Sequence, residues 1–249
     1  LGPEPANKII DLPLATDKTL YQGHPVAAVA ATSAALAMDA GLMIEVDYDM
    51  LDAVVDPEQA LADGVVLHEA AGTNRTWHGV WDCGNVDQAF ADAAHVVKID
   101  RLHFHRFSST PLEASACVAE WNRRGELDLL CNNSFIGFAV QLLAPALRLP
   151  THKIRMRTAD VGGSFGIKIG NYPYFALAAL ASRKAGGRKV KWAETRSEHN
   201  QSAGHGNERT FRDTEVALDA NGVITGIRTR AIDDCGAFPR YEPLGCVIW

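Results

Sequence analysis

The chain has 249 residues, 47% hydrophobic and 22% charged, an ordinary composition for a folded domain that excludes disorder as its main state. Twenty-four Lys and Arg against 30 Asp and Glu give a net charge of -6 with both signs scattered, so no nucleic-acid or anionic-membrane partner is expected. Its five cysteines, Cys83, Cys117, Cys131, Cys235 and Cys246, form no C-x-x-C pair, which argues for a reducing, cytoplasmic compartment and against a cysteine-bound metal or Fe–S cluster on this chain.

Pro25 to Ala31 is a small-residue apolar segment, and Thr32-Ser33 then caps a helix through Leu36, Ala40 and Met43. Ile44, Val46, Tyr48 and Met50 alternate with Glu45, Asp47 and Asp49, a period of two that predicts a strand. Strand, helix and strand are closed by a short helix at Pro57 to Leu61. Residues 63–82, with scattered Gly, Trp and His and no period, read as a linker.

Asn85 caps the next helix, through Phe90 and Ala94, and His95 to His105 alternates as a strand. Ala114 to Trp121 and Glu126 to Cys131 form a hairpin across Asn122-Arg123-Arg124-Gly125. Phe135 to Leu147 has a helical apolar face that Pro145 should kink or end. A strand at Ile154 to Thr158, a helix at Tyr174 to Arg183 stopped by Gly186-Gly187, and a strand at Lys189 to Ala193 follow. Phe211 to Asp219 and Val223 to Ile232 flank Ala220-Asn221-Gly222, a strong hairpin signal. The apolar stretches at Pro25–Leu42 and Phe135–Leu149 are too short or too polar to span a bilayer.

Chemistry concentrates in Val161-Gly162-Gly163-Ser164-Phe165-Gly166-Ile167-Lys168, between a predicted strand and a predicted helix. Its glycines permit positive φ and let backbone amides approach a polar or anionic ligand. It is neither a Walker loop nor G-x-G-x-x-G, and the residues alone leave a tight structural turn equally open. His103 and His105, at i and i+2 on one strand, could face one metal. Without a third ligand they read as surface residues, so no metal ligand is assigned. His199 and His205 have no spaced partner. Glu113 and Arg106 are each open to a substrate-channel role or to a structural one, Glu113 by satisfying nearby backbone N–H groups.

The loop resembles the G-G-G-F-G-x-K loop of the molybdenum-cofactor-binding large subunit of the xanthine dehydrogenase, aldehyde oxidase and carbon monoxide dehydrogenase family. Tyr21-Gln22-Gly23-His24-Pro25 with Val46-Asp47-Tyr48 and Val55-Asp56-Pro57 is similar to the latter part of that subunit's a/b hammerhead domain. Cys83-Gly84-Asn85-Val86-Asp87-Gln88-Ala89-Phe90, Arg106-Phe107-Ser108-Ser109-Thr110-Pro111-Leu112-Glu113, Trp192 to Glu198 and Asp234 to Phe238 resemble further family segments in the same order. The likeness covers residues 18–245.

The resemblance implies an α+β fold in which residues 1–62 are the latter part of a hammerhead domain and residues 83–249 the first portion of a molybdopterin-binding domain. It implies that Gly162, Gly163, Ser164, Phe165 and Gly166 lie against a molybdenum–molybdopterin cofactor in a dinucleotide form. Ser164 replaces the usual third glycine. Ser134 stands where many members place a Gln beside the metal, although Asn132-Asn133-Ser134 reads equally as a cap for the following helix. Ile169 stands where purine-oxidising members carry Glu, which argues against purine. The expected activity is hydroxylation of an aldehyde or N-heterocycle, a small-molecule substrate, with water as the oxygen source. Electrons should pass to [2Fe–2S] and FAD on partner subunits. The catalytic residue is left unknown, because the family's catalytic Glu is expected beyond Trp249, on another segment or on a chain carrying the rest of the large subunit. The rival expectation is a scaffolding relative that keeps the fold without the cofactor; Ser134 and Ser164 favour it, and the intact glycine spacing with Phe165 opposes it.

Overall fold

The structure, a computed structural model, describes residues 4–201 and 206–239. Helices and two separate sheets make an α+β arrangement. In chain order the elements are α1 (Ala34–Leu42), α2 (Pro57–Ala60), α3 (Val86–Ala91), β1 (His95–Phe104), β2 (Ala116–Trp121), β3 (Leu127–Cys131), α4 (Ile136–Leu147), β4 (Ile154–Thr158), α5 (Tyr172–Lys184), β5 (Val190–Ala193), α6 (Arg196–Gln201), β6 (Glu208–Leu218) and β7 (Ile224–Asp234). They fall into two compact units, one from residues 1–10, 52–107 and 207–249, the other from residues 11–51 and 108–206.

In the second unit a four-stranded sheet runs in the order β4-β3-β2-β5, with β3 and β4 parallel and the other pairs antiparallel. Cys117 and Ala119 of β2, Leu127, Leu129 and Cys131 of β3 and Ile154 of β4 are buried. Their period of two puts these side chains on one face. α4 contributes Leu143, Ala144 and Leu147, and α5 contributes Phe175, Ala176, Ala178 and Ala179 to the same apolar cluster. Each large side chain withdrawn there contributes roughly 1.5–3 kcal/mol of hydrophobic stabilisation before entropy is counted. Pro145 does not break α4: the helix runs on to Leu147 and ends at Arg148 in the left-handed conformation (φ 53°). So near the C-terminus, proline costs little more than one backbone hydrogen bond.

In the first unit β1, β6 and β7 form an antiparallel sheet in that order, with His95↔Leu218 and His103↔Thr210 in register. The β6–β7 turn follows from Asp219, whose Oδ1 accepts the amides of Asn221 (2.8 Å) and Val223 (2.9 Å), with Gly222 at φ +80°. Glu58 of α2 takes a bidentate ion pair from Arg212 of β6 at 2.6 and 2.7 Å, and Asp87 of α3 pairs with Arg228 of β7. Residues 63–82 carry no helix or strand, yet Asn74 orders them. Its Nδ2 donates to Val65 O (2.7 Å) and Ala60 O (3.1 Å), and its Oδ1 accepts from Leu67 N (3.0 Å).

The caps read from sequence are in place, with Ser33 Oγ accepting from Leu36 N and Asn85 from Gln88 N, and the structure adds Asp56, which accepts from Glu58 N and Gln59 N. Two expectations are corrected. Residues 25–31 and 44–50 are not strands, because neither segment finds a ladder partner among the described residues and a period of two cannot make a strand alone. No helix among the described residues is long and apolar enough to cross a membrane.

Candidate functional site

The glycine loop follows β4 and leads through a 3-10 turn at Ile167–Ile169 into α5. One carboxylate ties both of its ends. Glu113 Oε2 accepts the Gly162 amide at 2.7 Å and the Lys168 Nζ at 2.6 Å, while Glu113 N donates to Gly162 O at 3.3 Å. Lys168 is fully buried, and its hydrogen bond holds the Glu113 carboxyl below the usual carboxylate range, with the Gly162 amide acting in the same direction against desolvation. Of the two readings of Glu113, the structure gives the backbone-satisfying one, with a buried lysine added.

The glycines are needed where the sequence has them. A Cβ at Gly162 would lie 2.6 Å from Glu113 Cβ, and Gly163 has φ +89° with Pro111 Cβ 3.0 Å from its Cβ position. Phe165 is itself at φ +51°, an uncommon conformation for a non-glycine residue, and the residue is 75% exposed. A side chain at Gly166 (φ +91°) would meet nothing within 4 Å, so this face of the loop is open. Among the described residues, the amides of Ser164, Phe165 and Gly166 have no protein acceptor. Three consecutive free donors on a turn with positive φ are the ingredients of an anion- or oxygen-binding concavity.

Ser134 and Ser164, 30 residues apart, come together with 2.9 Å between their hydroxyl oxygens. Ser134 does not cap α4: the N-cap position is Phe135, whose side chain makes no capping hydrogen bond, and the Phe135 amide donates to Asn133 Oδ1 at 2.8 Å. Asn133, fully buried, also donates to Lys168 O at 2.6 Å and to Asn171 Oδ1 at 2.9 Å, which fastens the Ser134 turn to the loop. All six residues singled out from sequence, Ser134, Gly162, Gly163, Ser164, Phe165 and Gly166, are therefore on one surface or directly beneath it.

A buried relay supports Phe165 from the other side. Its carbonyl accepts from Ser109 Oγ at 3.2 Å; Ser109 O lies 3.0 Å from His199 Nε2, and His199 Nδ1 lies 3.0 Å from Glu194 Oε2. Glu194 Oε2 also accepts the Ser115 amide at 3.0 Å. His199 thus has partners that spacing did not show. His199 itself sits on α6, which the sequence reading missed, whereas His205 lies outside the described residues. Arg106 is structural: its Nη2 donates to Asp234 O (2.9 Å) and Asp234 Oδ2 (3.2 Å). His103 and His105 gain a third potential ligand, Glu208, that sequence spacing could not supply.

The profile of the molybdopterin cofactor-binding domain family matches residues 67–247. The gamma subunit of the 6-hydroxypseudooxynicotine dehydrogenase complex of Paenarthrobacter nicotinovorans is 36% identical over 93% of this chain, and the large subunit of nicotine 6-hydroxylase of the same organism is 33% identical over 90%. The solved structure of CO dehydrogenase from Oligotropha carboxidovorans superposes with a TM-score of 0.76 at 33% identity over 88% of this chain. The chain spans 29%, 27% and 29% of the length of these three proteins, respectively. Match, identity and fold agree: this chain belongs to the molybdopterin cofactor-binding domain family of the molybdenum hydroxylases.

Proposed function

We propose that this chain supplies one wall of the cofactor site of a molybdenum hydroxylase, with Gly162, Gly163, Ser164, Phe165 and Gly166 against the molybdenum end of a molybdopterin dinucleotide and Ser134 beside them. The observation that carries the reading is the set of free amides on Ser164, Phe165 and Gly166, on a loop that is open at Gly166. The residues fit the group: backbone donors accept oxygen-rich ligands without adding a competing charge, and Lys168 is spent on Glu113 beneath the loop. When bound, the cofactor supplies the redox chemistry of hydroxylating an aldehyde or N-heterocycle with water as oxygen source. The chain's own part is to hold and orient. Glu113 fixes the two ends of the loop, Ser109 fixes the Phe165 carbonyl, and the Ser134–Ser164 pair offers hydroxyls that can turn toward a ligand oxygen.

Residues 1–62 are assigned in this reading to the latter part of a hammerhead domain. The remainder of the large subunit, an Fe–S subunit with [2Fe–2S] clusters and an FAD subunit complete the assembly in the cytoplasm. Two similar proteins are named for nicotine compounds, which favours an N-heterocycle as substrate. The test is a pair of variants in the natively purified assembly, Gly163→Val and Phe165→Asp. Molybdenum content should fall by at least about tenfold while circular dichroism is unchanged, since a side chain in a positive-φ cradle or a carboxylate facing the free amides competes with the ligand. Unchanged metal content in folded variants would leave the loop a structural turn and the chain a scaffold.

A further inference from the structure

A second candidate site lies in the first unit, at the end of the β1–β6 ladder. His103 and His105 project from the same face by the period of two, and the register His103↔Thr210 followed by Phe104↔Arg209 brings Glu208 opposite the position just past β1. His103 Nε2 is 3.1 Å from His105 Nδ1 and 3.5 Å from Glu208 Oε1, and one ligand atom from each residue lies within 4.8 Å of the other two. Two donors on one tetrahedral ion with bonds of 2.0–2.1 Å stand about 3.3–3.4 Å apart. The two short separations bracket that edge, and the third closes by rotation of His105, which is the exposed member of the set.

The surroundings complete a metal-site pattern. His103 Nδ1 is 2.8 Å from Thr210 Oγ1, and Thr210 is fully buried, so the hydroxyl can accept the Nδ1 proton and aim Nε2 at the open side. Arg101 Nη2 also approaches His103 Nδ1, at 3.3 Å, and its Nε lies 3.6 Å from Glu58, a carboxylate it shares with Arg212; binding a metal at Nε2 requires the longer Arg101 contact to give way to the Thr210 one. Two imidazoles and one carboxylate are the wrong set for calcium or magnesium, which take oxygen ligands, and a suitable one for zinc or a similar divalent transition ion.

We propose that His103, His105 and Glu208 bind one divalent transition-metal ion of the zinc class, with Thr210 as the positioning residue and water in the remaining coordination position. The ion clasps the end of β1 to the start of β6. Its existence is independent of the glycine loop, and the test reads a different element. The natively purified assembly, stripped with chelator and dialysed against micromolar zinc chloride, should take up one zinc per chain by elemental analysis. That zinc should be lost in His105→Ala and in Glu208→Gln, retained in His152→Ala, and held about 10–100-fold more weakly in Thr210→Val, which keeps the side-chain shape. Cobalt(II) added in place of zinc should give a tetrahedral difference spectrum that the first two variants lack. No zinc above background in the wild-type assembly, or equal zinc in the wild type and both ligand variants, would overturn the site and leave a hydrogen-bonded His-His-Glu cluster.

Discussion

The two sheets of this chain bury themselves to very different degrees. In the second unit Leu127 and Leu129 of β3 and Ala119 of β2 have no exposed surface, and α4 and α5 close over them. In the first unit nine of the ten residues of β1 are exposed, Val96, Val97 and Ile99 among them, and β6 buries only Thr210 and Ala217. Val97 and Ile99 share one face of β1 and Val96 lies on the other, so apolar side chains are left bare on both faces of this strand. The second unit has a bare element too: α1 has no buried residue, and Leu42 is 81% exposed. The glycine loop belongs to the unit that holds the packed sheet and helices, a rigid base for the strained left-handed φ of Phe165, while Gly163 and Gly166 take positive φ without strain.

The comparison breaks most easily at the core. Phe175→Ala should cost about 3–5 kcal/mol because it opens a cavity against β2 and β3, while Ile99→Ala on the bare face of β1 should cost less than about 1 kcal/mol in this chain. Urea midpoints of the two variants check the difference, and equal losses would mean that the two sheets are equally self-sufficient.

A smaller effect belongs to the pair beneath the loop. Glu113→Gln leaves the Lys168 ammonium buried without a counter-charge, a loss of about 2 kcal/mol once solvent screening of the half-exposed carboxylate is allowed for. The sign of its pH dependence follows from the depressed Glu113 pKa. The unfolded state takes up the proton first, so the pair's contribution is present above the ordinary glutamate range and is lost as pH falls through and below it. Urea midpoints between pH 7 and pH 3 should show this slope in the wild type and a shallower one in Glu113→Gln.

Thiol labelling sharpens the contrast without changing stability. Burial pushes the Cys117 thiol up to about 12, with Cys131 beside it adding to the shift, and pushes Cys131 up to about 11. Both sit in the closed sheet, facing each other across β2 and β3. At pH 8 neither should react with a thiol reagent until denaturant is added, while the exposed Cys83 of the first unit should react at once. Rapid labelling of Cys131 in the folded chain would contradict a closed core.

The sequence made local features legible and long-range ones not. Ser33 and Asn85 announce helix starts because a cap acts within three residues, and Ala220-Asn221-Gly222 announces a turn for the same reason. The spacing of Gly162, Gly163 and Gly166 marked the loop. What the loop does with Glu113 was hidden, since that bond spans 55 residues and its acceptor lies on a different segment. The Ser134–Ser164 contact and the His199–Ser109 contact were hidden likewise. Glu208 joins His103 only through the β1–β6 register, which no single-strand pattern specifies. Ile44 to Met50 erred in the opposite direction: its alternation was real, but the partner strand it needs is absent from the described residues.

The most direct test of the account is the molybdenum content per mole of this chain in the natively purified assembly, with the co-purifying subunits weighed by mass spectrometry. The account predicts close to one molybdenum per chain, together with protein carrying the remainder of the large subunit. A folded, fully assembled complex without molybdenum would contradict it, and would reduce the free amides of Ser164, Phe165 and Gly166 to an exposed turn.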